Sequence, residues 1–128
     1  MTLPFSVSEL LKQAKSLIGA PERWCQGVAS TRADGSYCLA TDPAATVWCA
    51  AGAIWRVGRD NPICRDESLR LLCAAARQVF GEDHLAVNDR LGYSAVMTMF
   101  DTAIDLAGAK PTPAPAPGDS CEPRKSHS

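Results

Sequence analysis

Asp42-Pro43-Ala44-Ala45-Thr46-Val47-Trp48-Cys49-Ala50-Ala51-Gly52-Ala53-Ile54-Trp55 is the stretch on which the fold turns. No side chain from Ala44 to Trp55 is charged. Asp followed by Pro is a helix-start signature. The carboxylate can cap the first turn, and the fixed φ of proline suits the first helical position, where its missing N–H costs nothing. Taken as a helix, Ala44, Val47, Trp48, Ala51, Ile54 and Trp55 form a wide apolar stripe. Ala45, Cys49, Gly52 and Ala53 form a second face of small residues. A helix apolar all round is buried all round. Gly52 costs about 1 kcal/mol of helix propensity against alanine, so its presence predicts the close approach of another backbone. The expectation is a buried central helix.

The rest of the chain supplies partners for it. Ser6-Val7-Ser8-Glu9 reads as a capping box, with Phe5 and Leu10 placed for a hydrophobic staple. Leu10, Leu11, Ala14, Leu17 and Ile18 then recur at helical spacing, and Gly19 and Pro21 end the helix. A third helix is predicted over 66–80, with Leu69, Leu72, Cys73, Ala76, Val79 and Phe80 inward and Gly81 as its stop. A fourth begins near Ser94 and stops at Gly108, carrying Met97, Phe100, Ala103, Ile104 and Ala107. Between them, Leu85 to Gly92 is a short irregular connection. The segment 24–40 lacks helical period. Arg32-Ala33-Asp34-Gly35-Ser36 reads as a tight turn, which would pair Gly27–Thr31 with Tyr37–Ala40 in a small hairpin. Five of the nine prolines lie in the last 20 residues, so 109–128 is expected to be a disordered, partly polyproline tail. The fold class is therefore all-α: a bundle of about four helices over 2–108, with one short hairpin.

Composition limits the function. In 128 residues, 13 basic side chains stand against 14 acidic ones, for a net charge of -1. That balance gives no electrostatic reason to bind nucleic acid or an anionic membrane. Arg65, Arg70 and Arg77 on the third helix are interleaved with Asp66 and Glu67. The first residues read as no secretory signal, the last as no lipidation signal, and no apolar run reaches membrane-spanning length. The expected location is the cytoplasm. The six cysteines are Cys25, Cys38, Cys49, Cys64, Cys73 and Cys121. They form no CxxC, and His84 and His127 have no partner at ligand spacing, so no metal or cofactor is implied. Reduced thiols acting as small hydrophobes fit that pattern. A secreted chain stripped of its signal is the alternative.

Several phrases carry a family resemblance. Trp24-Cys25-Gln26-Gly27, Asp42-Pro43-Ala44-Ala45, Trp48-Cys49-Ala50-Ala51-Gly52-Ala53-Ile54, Asn88-Asp89 and Phe100-Asp101-Thr102-Ala103-Ile104 occur in an order and spacing that resembles an uncharacterised family. Its members are small proteins of unknown function from bacteria and their phages. The likeness spans about 10–107. It implies a fold and a genomic setting, and no activity.

The polar residues inside those phrases are the candidates for chemistry: Gln26, Cys49, Asn88, Asp89 and Asp101. Each also has a structural role open to it. Gln26 can satisfy loop backbone, Cys49 can fill space on a small-residue face, Asn88 and Asp89 can cap, and Asp101 can sit in solvent or pair with an arginine. A sharper reading gathers Cys49 as nucleophile, His84 as base, Asn88 or Asp89 as orienter and Gln26 as oxyanion donor, the roles of a cysteine hydrolase. Against it, a helix starting at Pro43 would bury Cys49 nearly two turns inside, beyond the reach of the dipole that activates thiolates. A different reading uses the aromatics. Trp24, Trp48, Trp55 and Tyr93 could line a pocket with a rim formed by Asn88 and Asp89. The reading preferred on sequence is a non-enzymatic module that binds a protein or a small molecule. The hydrolase is the alternative.

Overall fold

The computed structural model describes residues 6–109. The predicted tail beyond 109 and the Phe5 side of the predicted staple lie outside them. Helix α1 (Val7–Leu17) starts where its cap predicts: the Ser6 hydroxyl accepts the Glu9 N–H at 3.0 Å. A single 3-10 turn, Pro21–Arg23, comes next. Strand β1 (Ser30–Arg32) pairs antiparallel with β2 (Ala45–Trp48), and α2 (Ala50–Val57) comes directly after β2. Helix α3 spans Pro62–Phe80, one turn of α4 spans His84–Ala86, a π-helical turn spans Val87–Leu91, and α5 spans Tyr93–Ala109. The protein is thus mainly helical with one two-stranded hairpin.

The decisive stretch splits in two. Asp42 does not cap a helix. Its Oδ1 accepts the Ala44 N–H at 2.8 Å and its backbone oxygen accepts the Ala45 N–H at 3.0 Å, which makes a turn. Thr46, Val47 and Trp48 then run extended, because β-branched and aromatic side chains fit a pleated, half-buried surface. Ala45 and Trp48 face inward and Thr46 outward. The helix begins only at Ala50, with Cys49 as its N-cap: the sulfur accepts the Gly52 N–H at 3.2 Å.

The hairpin is also re-partnered. The turn at 32–36 forms as predicted, with Gly35 at φ +88° and the Asp34 carboxylate accepting the Ser36 N–H at 2.8 Å. Yet Tyr37 makes only an isolated bridge to Thr31, and the strand beside β1 is β2, in the register Ser30 to Trp48, Thr31 to Val47 and Arg32 to Ala45. Trp24 bridges β2 in parallel from the other side, with the Cys25 N–H donating to the Trp48 oxygen at 3.1 Å.

Gly52 does what its cost implies. A Cβ there would fall on the Ala29 carbonyl, which already accepts the Cys49 N–H at 2.9 Å. Helix α2 therefore lies against the backbone leading into β1. Helix α1 packs on α2, α3 and α5, and α3 packs on α5. Leu10, Leu11, Ile18, Ile54, Leu72, Val96, Met99 and Phe100 are fully buried between them. Helix α3 starts a turn earlier than the apolar pattern predicts, because Asn61 caps it through the Cys64 N–H at 3.2 Å with Pro62 as first residue. Gly81, at φ +71°, ends it. Among the described residues no helix is long and apolar enough to cross a membrane.

Candidate functional site

Three of the sequence phrases meet at the N-terminus of α2. The π-helical turn, closed by Gly92 at φ +101°, points Asn88 into the protein, where it is 2% exposed. Its Oδ1 accepts two N–H groups, the Trp24 indole at 2.7 Å and the Ala50 backbone at 2.9 Å. Its Nδ2 donates to the Cys25 oxygen at 3.1 Å and to Asp89 Oδ1 at 2.9 Å. All four hydrogen bonds that an asparagine amide can make are made. Gln26 reaches back and donates to the backbone oxygens of Asn88 at 3.0 Å and Asp89 at 3.3 Å, while the Gly27 N–H donates to Asp89 Oδ1 at 2.9 Å. Trp24, Gln26, Asn88 and Asp89 are thus brought together by bonds to one another, with Cys49 beside them bonded instead to Ala29 and to its own helix.

The thiols in this region are held protonated. Burial pushes the Cys25 thiol up to about 11, and the nearby Cys49, Asp89 and Cys38 add to the rise. Cys49 sits at a helix N-terminus after all, so the dipole objection raised by the longer helix does not apply. Its thiol is nonetheless raised: desolvation outweighs the Gly52 and Ala51 N–H groups that favour the thiolate. Cys25, Cys38, Cys49 and Cys64 are free. Cys73 is disulfide-bonded, which corrects the expectation of a reduced thiol at that position.

The remaining candidates lie elsewhere. His84 is largely buried, its Nδ1 has no hydrogen-bond partner among the described residues, and burial lowers its pKa against the pull of Asp83. Asp101 is exposed and pairs with Lys15 at 2.7 Å rather than with an arginine. Tyr93 packs edge-on against Trp24, with ring centres 5.6 Å apart, and donates its hydroxyl to the Ile18 oxygen at 2.8 Å. Trp48 is buried, donates its indole N–H to the Ala40 oxygen at 3.0 Å and carries the Arg56 guanidinium over its ring. Trp48 and Trp55 do not share a helix face, since one is on β2 and the other on α2. Among the described residues, no cluster of three or more His, Cys, Asp or Glu side chains is placed to hold a metal ion.

Sequence reasoning missed a second region. A groove of about 440 Å³ runs between the segment 38–41 and the far half of α2, where it meets the start of α3. Leu39, Ala40, Cys38 and Trp55 wall it, and Arg59 and Arg65 stand at its edge. Leu39 is 75% exposed and Trp55 43%. The Arg65 guanidinium lies 4.0 Å over the Trp55 ring, a cation–π contact. The available signal is Tyr37-Cys38-Leu39-Ala40, an apolar run in a segment without helical period. A hairpin strand accounts for that run equally well, which hides the groove from a reading of the residues alone.

Among curated proteins and among solved structures, nothing matches the chain. A family model does match, over residues 3–106, a span that takes in both the Asn88 network and the groove. The chain belongs to that family, DUF6197, a family of unknown function.

Proposed function

We propose that the protein is a small, non-enzymatic binding module of the cytoplasm whose working surface is the groove walled by Leu39, Ala40 and Trp55. The observation that carries this reading is the difference in unused capacity. The Asn88 amide directs all four of its hydrogen bonds into the protein, whereas the groove leaves a tryptophan and a leucine in water. Water on a concave apolar wall is readily displaced by a ligand, and a pocket of 300–1,000 Å³ is the usual scale for small molecules. The cysteine hydrolase reading is less well supported, because Cys49 is buried, protonated and engaged as a helix cap. Free Cys25, Cys38, Cys49 and Cys64 support the reducing compartment, and the bonded Cys73 does not.

The test is an amide and indole NMR titration of the full chain with indole, a neutral aromatic probe. Shifts are expected to gather on Leu39, Ala40 and the Trp55 indole N–H. The Trp24 indole N–H, bonded to Asn88, serves as an internal reference and should stay in place. Shifts centred on Gln26 and Asp89, or none on the groove at millimolar probe, would refute the reading.

A further inference from the structure

The groove carries charge as well as apolar surface, and the charge is arranged. Arg65 is fixed in two ways: its guanidinium stacks on Trp55 at 4.0 Å and its Nε donates to Asp66 Oδ1 at 3.0 Å. Its side chain is 18% exposed, and neither Nη atom has a hydrogen-bond partner among the described residues. Arg59 is held by its Nη1, which donates to the Arg56 oxygen at 2.7 Å, and its Nε stands 4.0 Å from Asp60. Its Nη2 likewise has no partner among the described residues. The two aspartates neutralise the arginines from the Nε side and are themselves 61% and 67% exposed. Among the described residues, no acidic side chain lines the groove.

The geometry points to a ligand of one chemical class, a small aromatic or aliphatic monocarboxylate; this rests on the groove being the binding surface. The apolar body lies against Trp55, Leu39 and Ala40, and the carboxylate meets the paired Nη atoms of Arg65 with Arg59 beside it. A guanidinium whose Nε is occupied still offers its two terminal nitrogens, and these match the spacing of carboxylate oxygens. Stacking on the indole removes the rotamer entropy that a free arginine would lose on binding, so less of the interaction is consumed by ordering. The apolar walls disfavour a bare inorganic anion, which would have to shed water against Leu39 and Trp55 with nothing to replace it. A neutral apolar molecule would fill the groove and leave the arginine ends without a partner.

The experiment compares 2-naphthoate with 2-naphthylmethanol, which has the same rings and no charge, by NMR titration at low salt. The naphthoate is expected to bind about tenfold more tightly, and 0.5 M NaCl should narrow the gap. Arg59→Gln should weaken the naphthoate severalfold and leave the alcohol unchanged, while Arg65→Gln, which also removes the stack on Trp55, should weaken the naphthoate by a larger factor than the alcohol. Among the described residues Arg59 makes no cation–π contact, and the ring of Trp55 is stacked by Arg65, so the Arg59 variant reports charge with that stack kept. Equal affinity of the two probes, or indifference of the naphthoate to both substitutions, overturns the carboxylate while leaving the groove as a binding surface. Failure of both probes to shift Leu39 and Trp55 overturns the carboxylate and the groove together.

Discussion

The two ends of α2 use similar residues for opposite purposes. At its N-terminus, Trp24, Gln26, Cys49, Asn88 and Asp89 converge from three segments far apart in the chain, and the buried Asn88 amide at their centre has no hydrogen-bonding capacity left over. At its C-terminal half, Trp55 and Leu39 converge with Arg59 and Arg65, and much is left over: an exposed indole and an exposed isobutyl group, beside two arginines that line the same groove. Convergence of chemically capable side chains is therefore a poor sign of a site by itself. Spare capacity is the better one, since a group already satisfied inside the protein must lose its partner before it can take a ligand.

Asn88→Ala breaks this contrast most severely. It removes the acceptor of the Trp24 and Ala50 N–H groups and the donor to the Cys25 oxygen, at a position only 2% exposed. Orphaned buried groups cost about 1–3 kcal/mol each, so the expected loss is roughly 4 kcal/mol, out of the 5–15 kcal/mol typical of a domain. In a melt followed by circular dichroism, a chain of this size should lose about 20 °C. A fall of less than about 5 °C would mean that water enters the network, and that Asn88 has capacity to spare after all.

Gly52→Ala comes next and bears on how much of the molecule could be read from its residues. The Cβ would meet the Ala29 carbonyl, which is backbone and hydrogen-bonded, so the strand entry must shift. Overpacking of this kind costs about 1–3 kcal/mol, partly offset by the better helix propensity of alanine. A drop in the urea midpoint worth about 2 kcal/mol is expected, and an unchanged or raised midpoint would show that Ala29 yields freely. The need for close approach at Gly52 was legible because a glycine in a helix has a cost that some contact must offset. The Ser6 cap and the Gly81 stop were legible for a similar reason, as each states a local geometry. The strand at Ala45–Trp48 was not. Asp42-Pro43 and Asn61-Pro62 carry the same local signature, and only the second begins a helix. The residues after each proline separate them. Thr46-Val47-Trp48 suits a pleated surface, and Trp48 finds Ser30 and Trp24 beside it, contacts that no local pattern contains. The network around Asn88 was half legible. Its members stood out as polar residues within the resembling phrases, but that they satisfy one another depends on pairings such as Trp24 with Asn88, 64 positions apart. The groove was hardly legible at all, since exposure of Leu39 and Trp55 depends on how the segment 38–41 crosses α2.

Leu39→Ser is the smallest perturbation and the sharpest on function. Leu39 is 75% exposed, so little apolar surface returns to water when the fold opens, and substitutions at such positions stay within about 0.5 kcal/mol. The melting temperature should hardly move. The wall of the groove, by contrast, exchanges an isopropyl group for a hydroxyl, and the apolar area that a ring would cover shrinks with it. At about 25 cal/mol per Å², that loss should weaken the indole and naphthyl probes severalfold. Asn88→Ala at low temperature, while still folded, should do the reverse, losing stability with the probe affinity kept. These opposite outcomes separate a structural network from a binding surface. If Leu39→Ser instead melts as low as Asn88→Ala, the side chain is part of the core in solution and the groove is closed; if it leaves both melting and probe affinity untouched, the groove is open but Leu39 is not one of its working walls.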